Sequence, residues 1–329
     1  MTFKYDKVYL NETYTVVGPY EDKGPLGKYF DNSYEDLYCE ADSWEKAETK
    51  LLEESMKKAL RKNKLTKENI DLVISGDLLN QVTSSCYAAS KINKPFLGIY
   101  SACASNVEGL IIGSNFINSG IINNCLCGTS SHNMSSEKQF RNPTEYGAPK
   151  PETATFTATG GASAVISNKK SNIKIESATI GRIVDYNQKD ALNMGAVMAC
   201  AAADTLKRHL DDLNRKEDYY DLILTGDLGV YGKEILKDYL KIEYNIVLQN
   251  YKDTGVMLYD REKQPVYAGA SGPACAPLVT YSYIFDKMYK KELKRVLLIA
   301  TGALMSTVMV NEKTTIPAVA HAVSLEVAE

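Results

Sequence analysis

Apolar residues recur along this chain with two periods that take turns, and the sequence of turns occurs twice. Over Trp44–Lys62 the positions Trp44, Ala47, Leu51, Leu52, Met56, Ala59 and Leu60 fall at helical spacing, with Asp42 or Ser43 placed to cap the first turn. Leu72–Ser75 is short and nearly all apolar, the mark of a strand buried on both faces. Pro95–Tyr100 reads as a second buried strand, and Ser101-Ala-Cys103-Ala-Ser105 as a small-residue turn opening a helix over Asn106–Asn118. Asn123–Ser130 and Thr157–Ser167 read as the strands that complete this series. The order then repeats: a helix over Gly195–Leu210, a strand before Gly226-Asp227-Leu228, a turn at Gly269–Ala276, and strands at Arg295–Thr301 and Ala318–Val327. The passages Leu65–Asn80 and Leu213–Val230 are near copies, each running a charged loop into Asp-Leu, three apolar or β-branched residues and Gly-Asp-Leu. Ahead of both series, Val8–Val17 reads as an edge strand.

Two copies of a strand-and-helix unit in the same order predict a duplicated α/β core with a pocket between the halves. The boundary falls near Lys170, in the turn Asn168-Lys-Lys-Ser-Asn172, dividing the chain into residues 1–170 and 171–329. Between the two strands that flank it, His132–Thr155 is polar and without periodicity, an insert of a length that usually serves function. Gly160-Gly161 and Gly269–Gly272 read as turns, and neither stands in a GxGxxG or GxxxxGKT context that would cradle a phosphate.

Composition changes this picture little. The 329 residues are 44% hydrophobic and 24% charged, and a formal net charge of −3 offers no electrostatic footprint for nucleic acid. No apolar run approaches the roughly 20 residues of a membrane span, so membrane association is expected to be peripheral. Seven cysteines without a Cys-x-x-Cys pair or a signal peptide are expected to be reduced thiols of an intracellular protein, with no metal site of their own. Cys125 and Cys127, on one strand, are expected to face opposite ways.

Cys103 is the leading chemical candidate. A thiol on a turn into a helix lies among unpaired backbone N–H groups at the positive end of a dipole, a setting expected to favour thiolate. A nucleophilic thiol also needs a base. Of the three histidines, His132 ends a strand and is expected at the pocket, His209 on the Gly195–Leu210 helix is expected at the surface, and His321 admits either a pocket or a core placement. Asp77 and Asp227 follow the two copied strands, each able to cap the next helix or to face the pocket. Asn80, next to Asp77, and Arg141, in the insert, are candidates to orient an anionic ligand.

The duplicated order with a cysteine at the first helix start resembles the thiolase superfamily. Specific stretches resemble one branch of it, the stage V sporulation protein AD family: Ser75-Gly-Asp-Leu-Leu-Asn80, Ser101-Ala-Cys103, Gly128-Thr-Ser-Ser-His-Asn133, Gln139-Phe-Arg-Asn-Pro-Thr-Glu-Tyr-Gly147 and Ile316-Pro-Ala-Val-Ala-His321. The resemblance implies a five-layered αβαβα fold with two mixed sheets, a homodimer, and non-catalytic binding of dipicolinic acid or its calcium chelate. The ligand would then pass to partner membrane proteins at the spore inner membrane. It places Cys103, Asp77, Asn80, His132, Asn133, Arg141, Asp227, Ser271 and Gly272 around the ligand, with no cofactor beyond Ca²⁺ carried by it. Enzymatic thiolases carry a Gly-His-Pro turn and a second cysteine before a glycine run, where this chain has Ala270-Ser-Gly-Pro273 and Ala318-Val-Ala-His-Ala322. Two other readings stay open: acyl transfer from a thioester through Cys103, and a structural adaptor with a vestigial pocket.

Overall fold

The computed structural model describes residues 1–140 and 150–328. Its first half contains β1 (Thr2–Lys4), β2 (Tyr9–Val17), α1 (Pro19–Asp22), β3 (Asn32–Ser33), α2 (Trp44–Lys62), β4 (Leu72–Gly76), α3 (Thr83–Ile92), β5 (Phe96–Gly98), α4 (Ser105–Asn118), β6 (Asn124–Ser131), α5 (Asn133–Phe140), β7 (Phe156–Thr157) and β8 (Gly160–Ser167). The second contains β9 (Ile173–Thr179), α6 (Met194–Leu213), β10 (Leu222–Thr225), α7 (Gly229–Tyr244), β11 (Tyr251–Asp253), α8 (Thr254–Leu258), β12 (Ala270–Ser271), α9 (Cys275–Val279), α10 (Phe285–Tyr289), β13 (Arg295–Ala303), α11 (Thr307–Asn311) and β14 (Ala318–Val327).

The two halves carry one strand order, β5-β4-β6-β8-β2 and β11-β10-β13-β14-β9. In each, the outer three strands run parallel and the inner ones antiparallel. The two mixed sheets meet where Tyr9 and Leu10 of β2 pair with Lys174 and Ile173 of β9, so the hydrogen bonding is continuous from one to the other. The proposed boundary lies in the loop between β8 and β9, although β1 crosses to pair with β9.

Strand alternation builds the layers. Ile74, Cys125, Ala164 and Ile166 of the first sheet face the same core as Leu222, Leu224, Leu298 and Val323 of the second, around Val107, Leu110 and Ile111 of α4 and Leu278 and Val279 of α9. Their neighbours point outward: Val73, Leu126 and Val165 onto α2 and α3, Ile223, Leu297 and Ile299 onto α6 and α7. The result is helix, sheet, helix, sheet, helix. α2 shows why its sequence folds locally, since Ser43 Oγ accepts from Lys46 N–H, Arg61 and Lys62 meet the negative end of the dipole, and Leu51, Leu52 and Met56 are buried.

Five expectations are corrected. β2 is a central strand between β8 and β9, since its Tyr14, Val16 and Val17 are buried. β5 is the edge strand and partly exposed. The strand expected over Thr157–Ser167 breaks after Thr157, so that β7 pairs with β12 of the other half, and Gly160-Gly161 is strand rather than turn. Residues two apart on a strand share a face, so Cys125 Sγ and Cys127 Sγ sit side by side at 3.7 Å in the core.

Candidate ligand pocket

Cys103 is delivered to the middle layer by the turn between β5 and α4. Ala102 before it has φ 48°, in the left-handed region that residues with a Cβ seldom occupy, so the turn is held by its surroundings. Part of what holds it is β13: a Cβ on Gly302 would stand 2.2 Å from Ser101 O, so only glycine lets the two halves approach here. Opposite, β12 places Ser271 with its Oγ 3.7 Å from Cys103 Sγ. The β7–β12 pairing, Phe156 with Ala270 and Thr157 with Ser271, stitches this floor across the two halves.

Above the floor opens a cavity of about 480 Å³. Its described walls come from Leu78, Tyr100, Cys103, Ser271, Thr155 and Thr157 low down, with Ser136, Glu137, Gln139 and Phe140 of α5 and Lys150 on one side. Leu192, Met194 and Met198 around the start of α6, and Met305, Thr307, Val310 and Asn311 around α11, form the other side. The volume falls within the roughly 300–1,000 Å³ range of small-molecule sites, and the lining mixes apolar surface with a few polar groups as such sites do.

Asp227 closes the floor from behind. Ser271 Oγ donates to its Oδ2 at 2.9 Å, Gly272 N–H to the same oxygen at 3.2 Å, and Thr301 Oγ1 to Oδ1 at 2.8 Å. Gly272 has φ 102°, and a Cβ there would stand 2.7 Å from Ser131 Oγ, so glycine is required for this N–H to aim at the carboxylate. Burial raises the Asp227 pKa, while hydrogen bonds from Cys103, Thr301 and Ser271 lower it. Burial and then the Asp227 carboxylate push the Cys103 thiol well above its ordinary value. The expected thiolate is therefore corrected: burial and the Asp227 carboxyl beside the sulfur outweigh the partial positive charge of a helix end.

None of the three histidines is placed as its base. His132 is fully buried, with Nε2–H donating to Leu37 O at 2.7 Å and Met134 N–H donating to Nδ1 at 3.2 Å, and burial lowers its pKa. It fastens the Leu37 segment to the start of α5 and is absent from the lining. His209, expected at the surface, is buried between Thr179 Oγ1 (2.8 Å) and Tyr220 OH (2.6 Å), because α6 turns that face onto β9 and not outward. Burial brings its pKa down to about 4. His321 accepts from Gly181 N–H at 3.2 Å in the interior, also brought down by burial to about 4.

Of the residues expected around a ligand, Cys103 and Ser271 line the cavity, and Asp227 and Gly272 support them. Asp77 is turned away, its Oδ1 accepting from Leu79 N–H (2.9 Å) and its Oδ2 from Ser85 N–H (2.8 Å), and it serves α3. Asn80 is exposed and gives its backbone N–H to Gln139 Oε1 at 2.9 Å. Asn133 is buried with its N–H donating to Thr159 Oγ1. Arg141, with Asn142, Thr144, Glu145 and Tyr146, lies outside the described residues. Among the described residues no group of three or more His, Cys, Asp or Glu side chains is arranged to hold a metal ion, and no helix is long and apolar enough to cross a membrane. The wall residues Glu137, Lys150, Met194, Met198, Met305 and Val310 were not singled out from the sequence, where only the insert signalled part of them.

A cysteine on a strained turn at the start of a central helix, between two sheets of one strand order, marks a thiolase-like fold. Solved structures agree: 3-oxoacyl-[acyl-carrier-protein] synthase III from Aquifex aeolicus VF5 superposes with TM-score 0.59 at 15% identity, over 97% of this chain and 99% of that one. Cerulenin-bound OleA from Xanthomonas campestris gives TM-score 0.60 at 13% identity, over 98% of each chain. At such identities the likeness is one of fold. The family model for stage V sporulation protein AD matches residues 1–326. Stage V sporulation protein AD of Bacillus subtilis (strain 168) is 46% identical over 319 residues, 97% of this chain and 94% of the relative. The chain belongs to the stage V sporulation protein AD family.

Proposed function

We propose that this sporulation protein is a non-catalytic receptor for a small planar diacid, pyridine-2,6-dicarboxylate or its calcium chelate, taken up during spore formation. The observation that carries the reading is the floor of the pocket. The thiol of the thiolase-like turn is kept, but a carboxylate stands behind it, its proton is held more tightly than in a free cysteine, and each histidine is engaged elsewhere. An acyl transfer would require a thiolate and a donor set for the developing oxyanion; loss of one such donor alone typically costs about 100- to 1,000-fold in rate. Binding requires neither. The apolar walls suit an aromatic ring, and hydroxyl and amide groups on the lining suit its carboxylates. Calcium would enter as part of the ligand, on the ligand's own oxygens.

Isothermal titration of the purified chain with pyridine-2,6-dicarboxylate, with and without calcium, tests the reading: saturable heat is expected, and its absence in both arms sinks it. Stoichiometric acylation by acetyl-CoA in intact mass, lost in Cys103→Ala, would instead establish the acyltransferase. Association with membrane proteins at the spore inner membrane, and a homodimeric state, belong to the same proposal. Light scattering on the purified chain checks the dimer, and a monomer mass would remove it. Co-purification from sporulating cell membranes checks the partners, and recovery of the chain wholly outside the membrane fraction would count against them.

A further inference from the structure

The pocket wall holds an ion pair that the reading above leaves without a task. Lys150 Nζ lies 2.5 Å from Glu137 Oε1, with only 14% and 17% of the two side chains exposed. The same ammonium stands 5.9 Å from the centre of the Phe156 ring, whose strand β7 carries the pairing to Ser271. Among the described lining residues Lys150 is the only positively charged one, whereas Glu137 on the wall and Asp227 behind the floor are both acidic.

Such a pair is an expensive way to hold a loop, because both ions lose hydration and a pair withdrawn from water seldom repays that by stability alone. It is well suited to a binding wall. A ligand carboxylate has acceptors and no donors, and the acidic groups around this cavity repel it. An ammonium with three donors, kept desolvated and aimed by one carboxylate, is the group able to receive another.

We propose that Lys150 recognises a ligand carboxylate in this pocket and that Glu137 is its resident counter-ion, displaced when the ligand enters. This rests on the diacid reading and identifies the residue that selects for the acid. Glu137 then acts as a competitor, which sets it apart from a residue that merely helps hold the wall.

The two roles differ in sign, so calorimetric titration of the full chain decides between them. The probes are pyridine-2,6-dicarboxylate and the uncharged pyridine-2,6-dicarboxamide. K150M is expected to weaken dicarboxylate binding by about 10- to 100-fold, the usual worth of a charge-assisted hydrogen bond, and K150R to restore most of it. E137Q is expected to tighten it by about 3- to 10-fold. The dicarboxamide should respond to neither change. Weakening of both probes by E137Q, as by K150M, would make the pair a structural staple and overturn the proposal, as would a K150M affinity equal to wild type. Should K150M fail to give a cooperative thermal melt, the sign of the E137Q effect still decides. Wild-type chain that shows no saturable heat would instead overturn the diacid reading itself, a separate and recognisable failure.

Discussion

Ser75-Gly-Asp77-Leu78 ends β4 in the first half, and Thr225-Gly-Asp227-Leu228 ends β10 in the second, at matching places in two sheets of one strand order. Asp77 spends both oxygens on backbone N–H groups of Leu79 and Ser85. Asp227 spends its own on Ser271, Gly272 and Thr301 under the pocket floor. The difference comes from the neighbouring strand. Ser75 is paired with Gly98 on β5, while Thr225 is paired with Asp253 on β11. Asp253 takes over the capping, accepting from Leu228 N–H at 2.9 Å, Gly229 N–H at 3.0 Å and Thr225 Oγ1 at 2.7 Å. With the turn satisfied from next door, Asp227 is released to the site. One carboxylate gained on an adjacent strand decides which copy of a repeated motif supports the pocket floor.

That comparison is broken most severely at Asp253. D253A leaves several buried donors unpaired and is expected to destabilise the chain by about 3–5 kcal/mol, read from the urea midpoint. D77A, which orphans two N–H groups, should cost less, about 2–3 kcal/mol. If D253A proved as mild as a surface change, the handover of the cap would be wrong.

Thiol reactivity sharpens the contrast between the paired aspartates. D227N removes the charge beside Cys103 and is expected to raise its iodoacetamide alkylation rate at pH 8 by about 10-fold, the effect of roughly one pKa unit. D77N should leave that rate unchanged. Equal responses would mean that Asp227 has no privileged access to the sulfur.

A pH series separates the two halves again. Glu48, fully buried near Asp77 in the first half, is pushed up to about 8, mainly by burial and next by the charge of Asp77. Asp253 in the second half is pushed up to about 6, mainly by burial. A carboxyl whose pKa is raised on folding binds more protons folded than unfolded, so stability is greatest below the ordinary carboxylate range and falls as pH rises through the folded value. The Asp253 loss is therefore complete soon after pH 6, and the Glu48 loss continues toward pH 8. Denaturant midpoints between pH 6.5 and 8.5 should fall in wild type and fall less in E48Q, the remainder coming from Glu21, which burial pushes up to about 7; an unchanged slope would contradict the assignment. The smallest effect is expected from S271A, which removes one hydroxyl from Asp227 at a cost of about 1 kcal/mol while sparing the fold, read as a small drop in melting temperature.

Much of this molecule is legible in its residues. The helical stripe over Trp44–Lys62 and the apolar runs of β4 and β13 carry their own periods, because each buries a continuous face whatever packs on it. The duplicated Gly-Asp-Leu and the small-residue turn around Cys103 pointed to a two-part core with a pocket between its parts. Less legible was anything set by a distant neighbour. α5 lies in the polar insert and has no strong apolar face; Glu48 holds it through Ser135 Oγ at 2.7 Å, and Gln139 holds it through Leu78 O at 2.6 Å. His132 follows a strand end where ligand groups often sit, yet Leu37, 95 residues away, claims its ring.

Local periodicity, turn chemistry and motif repetition thus determined the elements and their order, since these depend on residues within a few positions of one another, and the resemblance of specific stretches pointed to the family. Whether Cys103 bears a proton, which repeated aspartate underlies the pocket floor and which histidine is spent on structure were decided by the tertiary structure alone. Each of those outcomes is an electrostatic or hydrogen-bonding competition among groups far apart in the chain, and its winner exists only after folding has chosen the neighbours and removed the water.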